Sequence, residues 1–214
     1  MAVYDLEEQE QIENLKAWWK QHGTLITWVV AGLAVLILAW QGWSWYQNRQ
    51  AAEAGALFAA LQQAVSKGEA QKARTLAGEL TEKYAGTAYA PMGALMAARQ
   101  SFDAGDTKTA RTQLAWVVSH AKGELRDIAR LRLAAVLLDE QAYDEALKEL
   151  ANAPLPAFAA AYAELKGDVL VAQGKSGEAR AAYQAALDAM GKADAPAPGL
   201  TLLRQKLEAL GETV

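Results

Sequence analysis

Few side chains in this sequence of 214 residues could carry out metal or thiol chemistry. The chain contains no cysteine, which excludes disulfides, thiol catalysis and cysteine metal sites. Its two histidines are His22 and His120, and neither has a second ligand at the spacing that a metal site needs. We therefore interpret both histidines as structural or solvated side chains and expect no metal.

One short motif could indicate nucleotide chemistry. Gly174–Lys175–Ser176 matches the end of a phosphate-binding loop, but that loop also needs a glycine five residues earlier, where this sequence has Val169. We interpret the motif as a turn between two helices. No serine–histidine–acid set or dinucleotide fingerprint stands out. The sequence therefore predicts a protein that is not an enzyme and uses no cofactor.

The most distinctive segment is the apolar stretch Gly23–Tyr46, because the chain has no formal charge between Lys20 and Arg49. A helix that crosses a hydrocarbon core of ~30 Å needs ~20 mostly apolar residues. The alternative, a buried core helix of a soluble protein, would be shorter and would seldom have aromatic residues at both ends. Indoles and phenols prefer the two lipid–water boundaries, and the aromatic residues at the ends are Trp18, Trp19, Trp43, Trp45 and Tyr46.

Residues 1–22 form an acidic tail in front of this stretch. Its charged residues are Asp5, Glu7, Glu8, Glu10, Glu13, Lys16 and Lys20. A cleaved secretory signal has a short basic start and an apolar core of ~7–15 residues. Here the start is acidic, and the apolar core that follows it is longer. The sequence therefore predicts an uncleaved signal anchor.

Charges on the two sides of the anchor predict its orientation. Lys16 and Lys20 flank it on the N-terminal side, whereas Arg49 alone flanks it on the C-terminal side. Positive charge is retained in the cytoplasm and acidic residues count little. We expect three regions: a cytoplasmic tail (1–22), a transmembrane signal anchor (23–46) in a lipid bilayer, and a translocated domain (47–214).

The composition of residues 47–214 limits what that domain binds. The chain has 21 basic and 25 acidic residues, of which the tail takes two and five, so this region has 19 and 20 and a net charge of −1. A nucleic-acid-binding protein would normally show a basic field, which excludes nucleic acid as an expected partner. Alanine and leucine are abundant, and both favour helices. The domain is predicted to be all-α.

A pattern recurs four times in this region. A turn residue stands five positions before an alanine, and the turns are 37, 36 and 33 residues apart. Self-similarity at such a period is typical of a helical solenoid. The turn residues are Gly68, Gly105, Gln141 and Gly174, and the alanines are Ala73, Ala110, Ala146 and Ala179.

Each unit is predicted to be a helical hairpin. A left-handed residue ends the first helix, and the alanine lies where the two helices cross closely. Small residues are expected seven positions before each turn, and three of the four units have them, at Ala98, Ala134 and Gly167. The first unit has Leu61 there, a departure that is expected of a terminal repeat. The period is close to the ~34 residues of tetratricopeptide repeats. We predict an all-α fold, in which an N-terminal single transmembrane helix is followed by a TPR-like helical-hairpin solenoid.

The last segment is predicted to cap the solenoid. Ala193–Gly199 is a proline-rich break, and Leu200–Leu210 then follows as a helix. Solenoids need such a terminal cap. We expect one face of this helix to cover the last repeat, with Leu202, Leu203, Leu207 and Leu210 on it.

The first helix of each hairpin should line a concave face that could bind extended peptides or a partner segment. A second interpretation stays open, in which the C-terminal helices fill this groove and its residues are core. Registering each unit on its turn places nine candidates on this face: Phe58, Met92, Leu95, Arg99, Phe102, Leu131, Leu138, Glu164 and Asp168.

The order of these features resembles one known family. An acidic tail is followed by AWWKQHG, one span, NRQ, and degenerate hairpins that end in ELKGDVLVAQGKSGEARAAYQAAL (164–187). This arrangement is similar to the YfgM family of Gram-negative bacteria, the ancillary SecYEG translocon subunits, over essentially the whole chain. The resemblance implies an inner-membrane anchor, a periplasmic TPR-like domain, and association with the SecYEG translocon and the periplasmic chaperone PpiD.

Two functional hypotheses follow. In the first, the protein is a membrane-anchored adaptor or chaperone that helps to transfer translocating polypeptides to periplasmic chaperones. In the second, it regulates an envelope stress response by sequestering a cytoplasmic stress regulator through its acidic tail. A third option, a purely structural scaffold, would need no exposed apolar groove. The resemblance assigns no residue to the contacts of either hypothesis.

Overall fold

The computed structural model describes residues 3–191 and 199–211, with side chains from residue 10 onward. Within these ranges the chain is helical and contains no strand. The short 3₁₀ helix η1 spans Pro156–Phe158. The α-helices are α1 Val3–Ser66, α2 Ala70–Lys83, α3 Tyr89–Asp103, α4 Thr107–His120, α5 Gly123–Asp139, α6 Tyr143–Leu150, α7 Ala159–Ala172, α8 Ser176–Gly191 and α9 Leu200–Ala209.

The chain divides into two units, residues 1–50 and 51–214. The first unit is part of a helix, within Glu10–Ser66, that is long and apolar enough to cross a membrane and is the one such helix among the described residues. Apolar side chains from Ile12 to Tyr46 are exposed along this unit. Such a surface suits lipid rather than water, and the predicted apolar helix near the N-terminus is confirmed.

The second unit is a row of four helical hairpins, which confirms the predicted solenoid. The end of α1 pairs with α2, and the following pairs are α3–α4, α5–α6 and α7–α8. From α2 onward each helix also packs on the next helix along the chain. The core is therefore continuous and is built from neighbouring hairpins.

Left-handed residues end the first helix of every hairpin, as predicted. The φ angles are 71° at Gly68, 80° at Gly105, 60° at Gln141 and 75° at Gly174. In each case the next residue donates its backbone N–H to a carbonyl five residues earlier, for example Asp106 to Ser101 at 2.8 Å. This 6→1 bond defines the Schellman motif and satisfies a carbonyl at the helix end.

The helices of each hairpin cross at small residues. The four alanines that follow the turns, Ala73, Ala110, Ala146 and Ala179, are completely buried. The residues seven positions before the turns are also buried, and all but Leu61 of the first hairpin are small. At Gly167 an added Cβ would be 2.3 Å from Cε1 of Tyr183, a distance that no real contact tolerates. The predicted close crossing is confirmed.

The helix α9 covers the last hairpin. Leu203 is fully buried with Tyr183 and Ala186, and Leu207 and Leu210 pack against the same cluster. The expected placement of Leu202 on this face is wrong, since its side chain is 53% exposed. It is the neighbour of Leu203, and successive helical residues lie about 100° apart. The predicted proline-rich break lies outside the described residues except for Gly199.

The crossing at Gly167 gives a test of this packing. We expect Gly167→Ala to destabilise the protein by ~1–3 kcal/mol, because the added methyl overlaps the Tyr183 ring. The ring cannot easily turn away, since its hydroxyl donates to Asp168 at 2.8 Å. Urea unfolding of the full-length protein in detergent measures the change.

The matched control is Gly78→Ala, within α2. A Cβ at Gly78 has no neighbour within 4 Å, so this substitution should leave stability unchanged or raise it by up to ~1 kcal/mol. Equal effects of the two substitutions would contradict the crossing geometry.

Candidate functional site

Three first helices, the end of α1 with α3 and α5, line an open cavity of about 620 Å³, here called the groove. Its walls are mainly apolar, and α3 contributes the largest share. Met92 is 39% exposed, an unusual amount for a large apolar side chain in this unit. The lining residues are Phe58, Gln62, Val65, Met92, Leu95, Met96, Arg99, Gln100, Asp103, Ile128 and Arg132.

A smaller apolar cavity of about 150 Å³ adjoins the groove and is here called the pit. Arg99 and Arg132 line both cavities. Phe102 forms part of the pit and is 38% exposed. The other lining residues are Ala98, Leu114, Ala135 and Val136. The two cavities therefore offer adjacent apolar surfaces with two guanidinium groups at their shared boundary.

The structure brings together five of the nine candidates from the sequence. Phe58, Met92, Leu95 and Arg99 line the groove, and Phe102 lines the pit. Met92, Arg99 and Phe102 are exposed, whereas Phe58 and Leu95 line the groove but are largely buried. Whether these residues bind a partner stays a prediction.

Leu131 and Leu138 lie elsewhere. Both are partly buried and pack against the central core rather than lining either cavity. The helix α5 also packs against α7, and Leu131 packs against the core cluster that includes Tyr162 and Val169 of α7. Registering each unit on its turn therefore places the candidates of the first two hairpins at the cavities but fails for Leu131 and Leu138 in the third.

Sequence reasoning missed two residues of α5 that line the groove, Ile128 and Arg132. They are four residues apart and so lie on one face of the helix. The leucines Leu133 and Leu137 of the same helix are buried instead, and only the packing of α5 shows which of these residues face the cavity.

Glu164 and Asp168 on α7 are covered by α9. Nζ of Lys206 donates to Oε1 of Glu164 at 2.7 Å and to the two carboxylate oxygens of Asp168 at 2.8 and 2.9 Å. Tyr183 also donates to Asp168. Both earlier interpretations thus apply in part: the concave face is open along the first three hairpins and filled by the C-terminal helix at the fourth.

Opposing effects act on the ammonium group of Lys206. Burial lowers its pKa, but the hydrogen bonds and charges of Asp168 and Glu164 outweigh burial and raise the pKa above its ordinary value of 10.5. Burial, followed by the hydrogen bond to Asp168, also raises the pKa of Tyr183. The cluster is therefore stable with a charged lysine and a neutral tyrosine.

A buried carboxylate holds the segment between α6 and α7. Asp127 is almost fully buried, and its Oδ2 accepts the backbone N–H of Leu155 at 2.9 Å. The hydroxyl of Tyr162 lies 3.4 Å from Oδ1. Burial and then the charge of Asp127 raise the pKa of Tyr162 to about 12. These contacts are satisfied within the fold, so Asp127 has a structural role.

The residues that the sequence suggested for other chemistry lie outside both cavities. The ring of His120 stacks on Trp116 with centroids 4.3 Å apart. Lys175 donates its backbone N–H to Leu170 at 2.9 Å and so closes the turn between α7 and α8. Gly174–Lys175–Ser176 is therefore a hairpin turn.

Removing the charge of Lys206 should loosen α9. We expect Lys206→Met to destabilise the full-length protein by ~1–2 kcal/mol, because two partly buried carboxylates lose their shared cation. Urea unfolding in detergent measures the loss. The control Lys175→Met removes an exposed lysine that forms no ion pair with the described side chains and should change stability by less than ~0.5 kcal/mol.

The pH dependence of stability supplies a second readout, from a comparison of the wild-type protein with Lys206→Met. A lysine with a raised pKa contributes stability that is complete below its ordinary pKa of 10.5 and is lost as pH rises through the raised value. The wild-type protein should therefore lose more stability than Lys206→Met between pH ~10 and pH ~12. Parallel curves for the two proteins would contradict the assigned contact.

Comparisons with known proteins agree with this architecture. The family model described as a tetratricopeptide repeat-like domain matches residues 16–212. A solved structure described as a MamA RS-1 ArsTM double mutant superimposes with a TM-score of 0.56 at 20% identity, and the match covers 73% of this chain and 82% of that one. The second similarity concerns the fold alone.

Curated relatives match nearly the whole chain. A protein of Neisseria gonorrhoeae named ancillary SecYEG translocon subunit is 37% identical over 98% of this chain and 100% of its own length. Proteins with the same name from Haemophilus influenzae and Escherichia coli are 30% and 29% identical over 86% of this chain, and 90% and 89% of their own lengths are covered. These matches confirm the resemblance found in the sequence, and the chain belongs to the family of ancillary SecYEG translocon subunits.

Proposed function

We propose that this protein is a non-catalytic adaptor that is anchored in the bacterial inner membrane beside the SecYEG translocon. In this proposal its groove binds segments of translocating polypeptides and helps to transfer them to the periplasmic chaperone network, with PpiD as the expected chaperone partner. The names of the relatives support association with the translocon. The apolar helix near the N-terminus supports a single-pass anchor.

The open groove is the main observation that supports a role in binding polypeptides. Three helices line it, and they contribute Phe58, Met92 and Met96 among other residues. No residue of the C-terminal helix α9 lines the groove. Methionine is flexible and polarisable, which lets one surface adapt to different apolar partners. A translocating chain is unfolded and exposes the apolar residues that such a groove can cover.

Flanking charge supports the proposed orientation of the anchor across the membrane. Lys16 and Lys20 on the N-terminal side outnumber Arg49 on the other side, which favours retention of the N-terminus in the cytoplasm. Residues 47–214 would then lie in the periplasm. This orientation is what the proposal needs, because translocated polypeptides emerge on that side.

The association is tested by solubilising membranes in mild detergent and separating the complexes on a native gel. We expect the full-length protein to migrate with subunits of the channel and with a periplasmic chaperone. Migration alone, or with a cytoplasmic stress regulator, would contradict the adaptor role. The second result would favour the alternative hypothesis, in which the acidic tail sequesters a signalling protein.

The groove is tested with photo-crosslinking side chains in living cells. We expect a crosslinker at Met92 or Phe102 to capture a translocation-stalled polypeptide, because both positions are exposed within the two cavities. A crosslinker at Thr112, which is exposed on α4 and lines neither cavity, serves as the control. Equal capture at all three positions, or no capture at Met92 and Phe102, would count against a polypeptide-binding groove.

A further inference from the structure

The order of side chains along two helices of the groove suggests what kind of segment it binds. Along α3 the order is Met92 and Leu95, then Arg99, then Phe102, and along α5 it is Ile128, then Arg132, then Val136. Each helix thus presents an apolar surface, a guanidinium group and a second apolar surface. The arginines line both the groove and the pit and so mark the boundary between them.

The boundary carries an uncompensated positive charge. Nε of Arg99 donates to both carboxylate oxygens of Asp103, at 2.9 and 2.8 Å. Arg132 is exposed and makes no ion pair with any side chain that the structure describes. The charged lining residues Arg99, Asp103 and Arg132 therefore sum to +1, whereas residues 47–214 as a whole carry −1.

An arginine in this position is suited to a carboxylate. Its guanidinium stays charged at all accessible pH values, and its planar donors can bind both oxygens of one carboxylate. The neighbouring walls, Phe102 and Leu114 among them, are apolar. They reduce the exposure of such a pair to water and so strengthen it relative to an ordinary surface ion pair.

The pit has room for one apolar side chain. An apolar cavity of about 150 Å³ is large enough for a benzene-sized group, and the pit has this volume. The groove is about four times as large and can cover a longer apolar run. The two cavities together thus have space for two apolar positions, one on each side of the arginines.

The spacing of these surfaces matches an extended chain. Residues four apart on α5, such as Ile128, Arg132 and Val136, follow one another at intervals of about 6 Å along the helix axis. Side chains two apart on an extended strand point the same way and are separated by about 6.5 Å. A strand that lies along α5 would therefore present every second side chain to one of these three positions.

We infer that the groove and the pit recognise an extended polypeptide segment with an apolar, an acidic and a second apolar residue at alternate positions. The acidic side chain binds Arg132 beside Arg99, and the two apolar side chains occupy the pit and the groove. This inference rests on the proposed function and adds the chemistry of the bound segment. The carboxylate belongs to an internal residue, because apolar surface continues on both sides of the arginines and a chain that ended there would leave one cavity empty.

The inference is tested by binding of fluorescent peptides to the full-length protein in detergent. The probe has leucine, glutamate and leucine at alternate positions, serine between them, and both ends blocked. We expect it to bind about tenfold more tightly than the same peptide with glutamine in the centre, which corresponds to one charge-assisted hydrogen-bonded pair. The preference should shrink at high ionic strength.

Variants of the protein test whether Arg132 causes the preference for the glutamate peptide. Arg132→Gln should abolish most of the difference between the glutamate and glutamine peptides, and Arg132→Glu should reverse it in favour of a lysine-centred peptide. Arg204→Gln is the matched control, because Arg204 is exposed on α9 and lines neither cavity. Since Arg132 is itself exposed, its variants should unfold at the same urea concentration as the wild-type protein.

The outcomes separate this inference from the proposed function. If glutamate and glutamine peptides bind equally well, the acidic preference is wrong while the polypeptide-binding groove stands. If a peptide that ends in a free carboxylate binds more tightly than the internal-glutamate probe, the internal position is wrong. If no peptide binds and Met92 captures no stalled chain, both the inference and the proposed groove are overturned.

Discussion

The close crossing of paired helices is the constraint on which the helical-repeat domain depends. Ala73, Ala110, Ala146 and Ala179 are completely buried at four equivalent positions, and each follows a left-handed turn by five residues. A larger side chain at such a position would separate the helices and displace every later hairpin, because each helix also packs on its successor. At Gly167 even a methyl group would overlap Tyr183. The regular stacking thus follows from local limits on side-chain volume.

This packing leaves the first helices to form one side of the domain. In the first three hairpins that side carries large apolar residues and two arginines without a covering element, which produces the groove and the pit. In the fourth hairpin the corresponding residues are acidic, and Lys206 of α9 neutralises them. The same repeated surface therefore serves two purposes: it stays accessible where it is apolar, and it anchors the cap where it is charged.

The two units of the chain differ in how far their apolar side chains are buried. The second unit buries its alanines and leucines between helices, as a protein in water must. The first unit leaves Leu36, Ile37 and Trp40 exposed, with most of its other apolar residues. A surface of this kind is stable only in a bilayer or against a partner. The division agrees with the family, whose named members are ancillary SecYEG translocon subunits.

The sequence alone determined the features that depend on local geometry. The turn residues, including Gln141 with its φ of 60°, the buried alanines and the apolar helix were all predicted, because each depends on residues a few positions apart. The family could also be recognised, since its motifs are contiguous. These features need no knowledge of which helices meet.

Only the tertiary structure decided which helical faces remain accessible. One residue changes the direction of a side chain by about 100°, so the register that was right for Leu95 placed Leu131 on a face that packs into the core and missed Arg132. Leu202 was misplaced for the same reason. The pairing of Lys206 with Glu164 and Asp168 joins residues 42 and 38 positions apart. No local pattern specifies such a contact, because it depends on how α9 packs against the last hairpin.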